Sequence, residues 1–326
     1  NPVGTGAYRF KKWVKGERVE LTAFDDYHGA KPNAKTLIFL ILPDDSSRVI
    51  ALETGKVDLA YAVPPSDYAR LNSSANLKAV KAPGLRLLYL GMNTQKKPLD
   101  DPRVREAVTC AINRDAFGEV VYQGNSVKPI GPLVNASSFT PKDPKFTGFD
   151  PARAKALLAE AGYSKGLTLN LWTANFRDRV SGATVIQSML AQVGITLNIQ
   201  VFETGVFDGK VKTHEHDLMI GTWGMQTNRD AGQYWMVLFH SGGIGATNWA
   251  RLNDPVFNAD IEKAQRTVDA AERTALLQKI WDRLCELHPV VPLAIADELY
   301  GARKELAGVD NFCDGQINYL GNVSMK

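Results

Sequence analysis

The chain has 326 residues, of which 44% are hydrophobic and 22% are charged, as in an ordinary globular protein of about two domains. Its 38 basic and 35 acidic residues give a net charge of +3, which offers no electrostatic support for a nucleic-acid partner. The longest apolar runs, such as 37–42 and 85–90, have the length of a strand and fall far short of the ~20 residues that span a bilayer.

The first 95 residues are predicted to be mainly β structure. Asp44-Asp-Ser-Ser47 predicts the cap of a helix that runs through Glu53 and ends at Gly55. The segment 85–91 is almost continuously apolar, which indicates a strand that is buried on both faces. The strands predicted in this part lie at 18–24, 35–42, 57–61, 77–81 and 85–91.

From Asp101 the hydrophobic period becomes helical, after an acidic cap and a proline at the first helical position. Four prolines between Gly124 and Phe149 predict a long surface loop. Helices are predicted at 150–161, 180–193, 231–239, 254–268 and 269–287, and strands at 167–173, 196–202, 217–223, 290–296 and 298–304. This alternation predicts an α/β domain with parallel strand pairing, and a chain that leaves a first domain and returns to it is typical of a hinged cleft.

The three cysteines form neither a CxxC motif nor a zinc-binding pattern. Cys110, Cys285 and Cys313 are expected to be small buried hydrophobic residues. If a disulfide forms, Cys285 and Cys313 are the expected pair, because both lie in the C-terminal part of the chain.

Several motifs, taken in chain order, resemble one known family of binding proteins. The segment from Asn1 to Tyr8 is similar to N-P-x-G-T-G-P-Y, with Ala7 in place of the usual proline. Its two glycines fit a tight turn that leads into a strand. Further matching segments are Tyr27 to Pro32 (with His28 in place of a tryptophan), Ile41 to Asp44, Ala51 to Asp58, Asn93 to Ala107, Phe149 to Gly162 and Pro289 to Leu293. Together they identify the chain as a member of the family 5 extracellular solute-binding proteins, the peptide- and nickel-type receptors of ABC importers.

The resemblance implies a two-lobed α/β fold of the periplasmic binding protein type (type II, cluster C) with mixed sheets. Residues 1–95 and the returning segment 290–326 resemble the first lobe, and residues 96–289 resemble the second lobe, which closes over the ligand. In the family, about a third of the mature protein precedes the N-P-x-G-T-G motif. We therefore expect the first lobe to be incomplete in this chain.

The resemblance also implies that the loop after the strand 217–223 lines the ligand cleft. The candidate ligand-binding residues are Trp223, Gln226, Thr227, Asn228, Arg229, Asp230 and Tyr234, together with Asn93. Gln226 stands where peptide-binding relatives have an aspartate that pairs with the peptide amine. A neutral amide cannot form that charge-assisted pair, so a simple free-amine peptide is disfavoured as the ligand.

A purely structural interpretation also exists for Trp223, Arg229 and Asp230, the last two of which would be solvated or pair with each other. Trp223 would equally suit the core, and Asp230 would equally suit the N-cap of the following helix. Alternatively, Arg229 and Asp230 anchor a carboxylate and an amine, or act in a cleft hydrolase, which is the alternative function of another class. No nucleophile motif supports catalysis, and we expect the chain not to be an enzyme.

Metal binding is the other alternative. Thr222-Trp-Gly224 and His240 resemble nickel-binding members of the family, although His240 is also suited to end a helix before Ser241-Gly-Gly243. His214-Glu-His-Asp217 has two imidazoles but no predictable third ligand, so a solvated turn is expected there. No cofactor and no resident metal are expected.

The resemblance finally implies a role and a location. The expected function is capture of a small peptide-like ligand for an ABC importer, with a nickel or metal-chelate cargo as the alternative within the family. The expected partners are that small-molecule or peptide ligand and the inner-membrane permease subunits. The protein would be a monomer in the periplasm, or extracellular and lipid-anchored.

Overall fold

The computed structural model describes residues 2–144, 146–225, 228–310 and 317–325. The strands are β1 Tyr8–Val14, β2 Arg18–Ala23, β3 Thr36–Leu40, β4 Leu59–Tyr61, β5 Leu77–Ala82, β6 Arg86–Met92, β7 Ser126–Val127, β8 Leu167–Ala174, β9 Ile195–Phe202, β10 Leu218–Gly224, β11 Val290–Ala296, β12 Glu298–Arg303, β13 Leu306–Ala307 and β14 Ser324–Met325. The helices are α1 Asp45–Glu53, α2 Pro65–Asn72, α3 Pro102–Ala111, α4 Arg114–Tyr122, α5 Pro151–Glu160, α6 Arg177–Ala191, α7 Thr204–Val211, α8 Ala231–Phe239, α9 Pro255–Arg266 and α10 Ala270–Leu287. Among the residues described, no helix is both long enough and apolar enough to cross a membrane.

The chain divides into two compact units. The first consists of Asn1–Gly84 with Asp297–Lys326, and the second of Leu85–Ala296. These limits differ from the predicted ones, after residues 95 and 289, because β6 pairs with β10 and β11 pairs with β7, so both strands belong to the sheet of the second unit. The chain does leave the first unit and return to it.

The first unit contains two small three-stranded sheets. One has the order β1-β2-β3 and is antiparallel throughout. The other has the order β4-β12-β5, in which the returning strand β12 lies between two strands from the first part of the chain. Helices α1 and α2 pack beside this second sheet through the buried side chains of Val49, Leu52 and Leu71.

The second unit is built around a six-stranded mixed sheet with the order β7-β11-β6-β10-β8-β9. The predicted parallel pairing holds for β8 with β9 and for β8 with β10. Strand β6 is antiparallel to both of its neighbours, β10 and β11. The sheet is therefore mixed, as the resemblance implied.

The apolar sequence of β6 follows from its position inside that sheet. Leu87 and Tyr89 point into one core cluster, and Leu88 and Leu90 point into a second cluster on the opposite face. Because both faces of the strand are covered, nearly every position is apolar, as predicted from the sequence.

Some details differ from the sequence predictions, whereas the burial of Cys110 and Cys285 was predicted. Helices α4 and α7 were not predicted, and both contain glycine, which weakens a helical pattern. The segment 124–149 is not purely a surface loop, because Leu133, Val134 and Phe139 are buried in the first core cluster. Cys110 and Cys285 are buried free thiols whose pKa is raised by burial, to about 11 and about 12; Cys313 lies outside the described residues.

Candidate ligand-binding site

A cavity of about 400 Å³ opens where β10 ends and the chain turns towards α8. The antiparallel register places Gly224, at the end of β10, opposite Arg86, at the start of β6. The residues lining the cavity are Arg86, Thr222, Trp223, Gly224, Asn228, Gln233, Tyr234 and Val237. A concave site with aromatic walls and a few polar groups is the usual form of a small-molecule site.

Trp223 and Tyr234 form the aromatic part of the wall. Trp223 is partly buried and packs against the first core cluster, while Tyr234 is 4% exposed. The Tyr234 hydroxyl donates a hydrogen bond to the backbone carbonyl of Trp223 at 3.4 Å. Burial raises the pKa of Tyr234 well above its ordinary value, so the phenol stays neutral. The two aromatic side chains are thus held in place by the core behind them.

Asp230 has the structural role that its position suggested. Its carboxylate caps α8 by accepting a hydrogen bond from the Gln233 amide at 2.8 Å. Both of its oxygens also bind Arg273 of α10, at 2.9 and 2.8 Å. Burial by itself would raise the pKa of the Asp230 carboxyl, but the hydrogen bonds from Arg273 and Gln233 keep it below the ordinary value. Asp230 is therefore an ionised structural group and does not line the cavity.

The residues before Asp230 shape the loop. The Asn228 side-chain oxygen accepts a hydrogen bond from the Asp230 amide at 2.8 Å, and Asn228 also lines the cavity. The side chain of Arg229 is exposed, and its backbone carbonyl accepts hydrogen bonds from the Ser138 amide (2.8 Å) and the Ser138 hydroxyl (3.1 Å). Gln226 and Thr227 lie outside the described residues.

Asn93 is not brought together with the other candidates. It follows the opposite end of β6, about 20 Å from the Trp223 end at ~3.3 Å per residue. Its side chain is fully buried, and its amide donates to the carbonyls of His214 and His216 at 3.0 and 3.1 Å. Asn93 thus supports a turn in the second unit.

The histidine candidates are engaged in local structure. His240 ends α8: its Nδ1 accepts from the Gly242 amide, and its Nε2 lies 3.1 Å from Glu262. His216 is fully buried, with its Nε2 3.1 Å from the carbonyl of Trp249, so the expected solvated turn at 214–217 is in fact partly buried. No group of three potential metal ligands occurs in the part of the chain that the structure describes.

Five cavity residues were not among the candidate ligand-binding residues: Arg86, Thr222, Gly224, Gln233 and Val237. Arg86 did carry a signal, as a charged residue in an otherwise apolar strand. Gln233 and Val237 lie four residues apart and share one face of α8 with Tyr234. Thr222 lines the cavity because it lies in the last part of β10, next to Trp223.

Comparison with known proteins identifies the family. The model of the bacterial extracellular solute-binding proteins, family 5 (middle), matches residues 1–245. The dipeptide-binding protein of Escherichia coli is 32% identical over 314 residues, which cover 94% of this chain and 58% of that protein. The glutathione-binding protein of Pectobacterium atrosepticum is 31% identical over 317 residues, covering 94% of this chain and 61% of the relative.

Solved structures agree with this assignment. The periplasmic binding protein DppA of Helicobacter pylori, in complex with the peptide STSA, has a TM-score of 0.89 at 29% identity, covering 99% of this chain and 63% of that one. NikZ of Campylobacter jejuni, in complex with Ni(L-His), has a TM-score of 0.82 at 26% identity, covering 94% and 64%. The chain thus spans about three fifths of the length of these relatives. It belongs to the family 5 bacterial extracellular solute-binding proteins.

Proposed function

We propose that this chain is the ligand-capturing component of an ABC importer and that it binds a small peptide-like ligand in the cavity at the end of β10. The observation that carries the proposal is the wall formed by Trp223 and Tyr234, held by the core and accompanied by the polar side chains of Thr222, Asn228 and Gln233. The relatives named as dipeptide- and glutathione-binding proteins support a peptide-like cargo.

Around this capture step, we propose the partners and the setting that the family suggests. The ligand would be passed to inner-membrane permease subunits, and the protein would act as a periplasmic or lipid-anchored monomer. Hinge closure by a two-lobed fold, with the lobes at 1–95 plus 290–326 and at 96–289, remains a prediction. The proposal includes no catalytic step, because the carboxylate considered for a hydrolase, Asp230, is held ionised by Arg273.

Nickel or a metal chelate is the second candidate cargo, and the Ni(L-His) complex of NikZ is the observation that favours it. His240, the residue considered for metal contact, is not among the cavity-lining residues, and both of its ring nitrogens have partners in the chain. A peptide-like cargo therefore has the stronger support.

The test is a comparison of ligand binding by the unmodified chain and by Trp223→Ala. Isothermal titration with the peptides Ala-Phe, Ala-Glu, Ala-Lys and Ala-Ala-Phe should show saturable binding without release of free amino acids. Removing the indole should weaken binding at least tenfold, which corresponds to about 1.4 kcal/mol.

Trp13→Ala is the matched control, because this tryptophan is 60% exposed and lies in β1 of the first unit. It should leave the affinity unchanged. Hydrolysis of the peptides, or equal affinities for the Trp223→Ala variant and the unmodified chain, would refute the proposal.

A further inference from the structure

The charges around the cavity are one-sided. Of the described residues that line it, Arg86 is the one with a formal charge. The two neighbouring loop positions outside the described residues are Gln226 and Thr227, which are neutral by residue type. No carboxylate is found among the described residues that line the cavity.

Arg86 has no protein partner among the residues that the structure describes. Its side chain is exposed at the start of β6, and it forms no hydrogen bond or ion pair with them. Arg273 and Arg283, by contrast, each bind both oxygens of an aspartate. A guanidinium group presents a planar fork of donors that matches a carboxylate, and Arg86 lines the cavity with no described partner for that fork.

The nearby carboxylates are already committed. Asp230, at the start of α8, has both oxygens on Arg273. Asp178, at the start of α6, accepts a hydrogen bond from the hydroxyl of Tyr122 at 2.9 Å. Neither carboxylate lines the cavity, and neither forms an ion pair with Arg86.

A second guanidinium group stands behind the cavity wall. The Arg179 Nη2 donates to the hydroxyl of Thr222 at 3.0 Å, and the Arg179 guanidinium lies 4.5 Å from the centre of the Phe176 ring. Thr222 separates Arg179 from the cavity, and its hydroxyl is oriented by this contact. The charge of Arg179 is itself countered by the nearby carboxylates of Asp178 and Asp208.

We infer that the cavity selects an anionic ligand, whose free carboxylate forms a forked pair with Arg86 while its apolar part packs against Trp223 and Tyr234. This inference rests on the proposed function, because it assumes that the cavity is the ligand site. The pairing with Arg86 would determine which ligands the cavity accepts. It would favour a ligand held by its carboxylate over one held by its amine.

The test is isothermal titration of the whole chain with matched acid and amide probes. The probes are Ala-Phe and its C-terminal amide, and 3-phenylpropanoate and 3-phenylpropanamide, which lack a peptide amine. Ala-Phe should bind about 10- to 100-fold more tightly than its amide, the range expected for hydrogen bonds to a charged group. Raising the ionic strength should weaken binding of the acid more than binding of the amide.

Variants test whether the preference for the acid over the amide depends on Arg86. Arg86→Gln should remove the preference for the acid, and Arg86→Lys should retain part of it, because the charge remains but the fork is lost. Lys165→Gln, a loss of charge at an exposed position in the same unit, should leave the preference intact. Unchanged melting temperatures show that the variants are folded.

The outcomes separate this inference from the proposed function. If Ala-Phe and its amide bind equally well and Arg86→Gln has no effect, the anionic selectivity is refuted and peptide capture stands. If 3-phenylpropanoate binds through Arg86 and no peptide binds, peptide capture is refuted and the anionic selectivity stands. If neither acid binds, both are refuted.

Discussion

His216 is a fully buried histidine whose surroundings favour the neutral imidazole. Its Nε2 lies 3.1 Å from the carbonyl of Trp249, so the ring proton resides on Nε2. Burial lowers the pKa of His216, the hydrogen bond to the Trp249 carbonyl raises it, and the nearby His214 and Lys96 lower it, so that the pKa falls from 6.5 to about 4. Protonation therefore costs more in the folded chain than in the unfolded chain.

This difference predicts that acid destabilises the protein. In the unfolded chain, residue His216 becomes protonated as the pH falls below 6.5. In the folded chain the imidazole stays neutral until about pH 4. The free energy of unfolding should therefore decrease across that window by about 3 kcal/mol, at ~1.4 kcal/mol per unit of pKa shift. Urea unfolding at several pH values between 7 and 4 measures the decrease.

His216→Gln should lower stability at pH 7 but flatten its dependence on pH in that window. The same change at His28, an exposed histidine of the first unit, should leave the pH dependence as it is in the unmodified chain. A pH profile that His216→Gln does not alter would contradict this account of His216.

At the scale of elements, acidic N-caps fix where several helices begin. Asp254 and Asp269 cap α9 and α10, each by accepting a hydrogen bond from the amide three residues later. Only Asp254 also binds across to the other helix, where Arg283 of α10 donates to both of its oxygens at 3.2 and 2.6 Å. The two caps thus differ by one cross-helix ion pair.

This difference between the two caps predicts that replacing Asp254 destabilises the chain more than replacing Asp269. Asp269→Ala should cost about 1 kcal/mol, the usual value for loss of a cap. Asp254→Ala should cost roughly 2–4 kcal/mol, because it also leaves the partly buried Arg283 with one fewer partner. Denaturant unfolding of both variants measures the difference, and equal losses would show that the ion pair contributes nothing.

Such caps explain why the helices were predictable from the sequence and why parts of the site were not. An aspartate followed by proline marks the starts of α3, α5 and α9 within a few residues. No local signal placed Arg86 opposite Gly224 at the end of β10, because that pairing comes from the antiparallel register of β6 and β10, which lie far apart in the chain. The same register puts Asn93 at the other end of β6, away from Trp223. The sequence alone does not show which end of β6 lies beside the end of β10.

At the scale of the whole molecule, the elements differ sharply in burial. Strand β6 is flanked by β10 and β11 and covered by core on both faces. The sheet β1-β2-β3 has no buried residue. Its register places the aromatic side chains of Phe10, Trp13 and Phe39 on the same face of the sheet. Its hydrogen bonds are therefore much closer to solvent than those of the large sheet.

This contrast predicts an ordered pattern of amide hydrogen exchange. Amides of β6, β8 and β10 should exchange last, because their hydrogen bonds open only when the second unit unfolds. Amides of β1 and β3 should exchange first among the strands longer than three residues. Exchange followed by mass spectrometry gives the order, and slower exchange in β1 than in β6 would contradict this distribution of stability.

The proposed capture of a small peptide-like ligand at the end of β10 is tested most directly by isothermal titration of the unmodified chain with Ala-Phe. Chromatography of the recovered peptide follows. We expect saturable binding with one ligand per chain and an intact peptide at the end. Absence of binding by Ala-Phe and by the other peptides of the panel, or recovery of cleaved peptide, would contradict it.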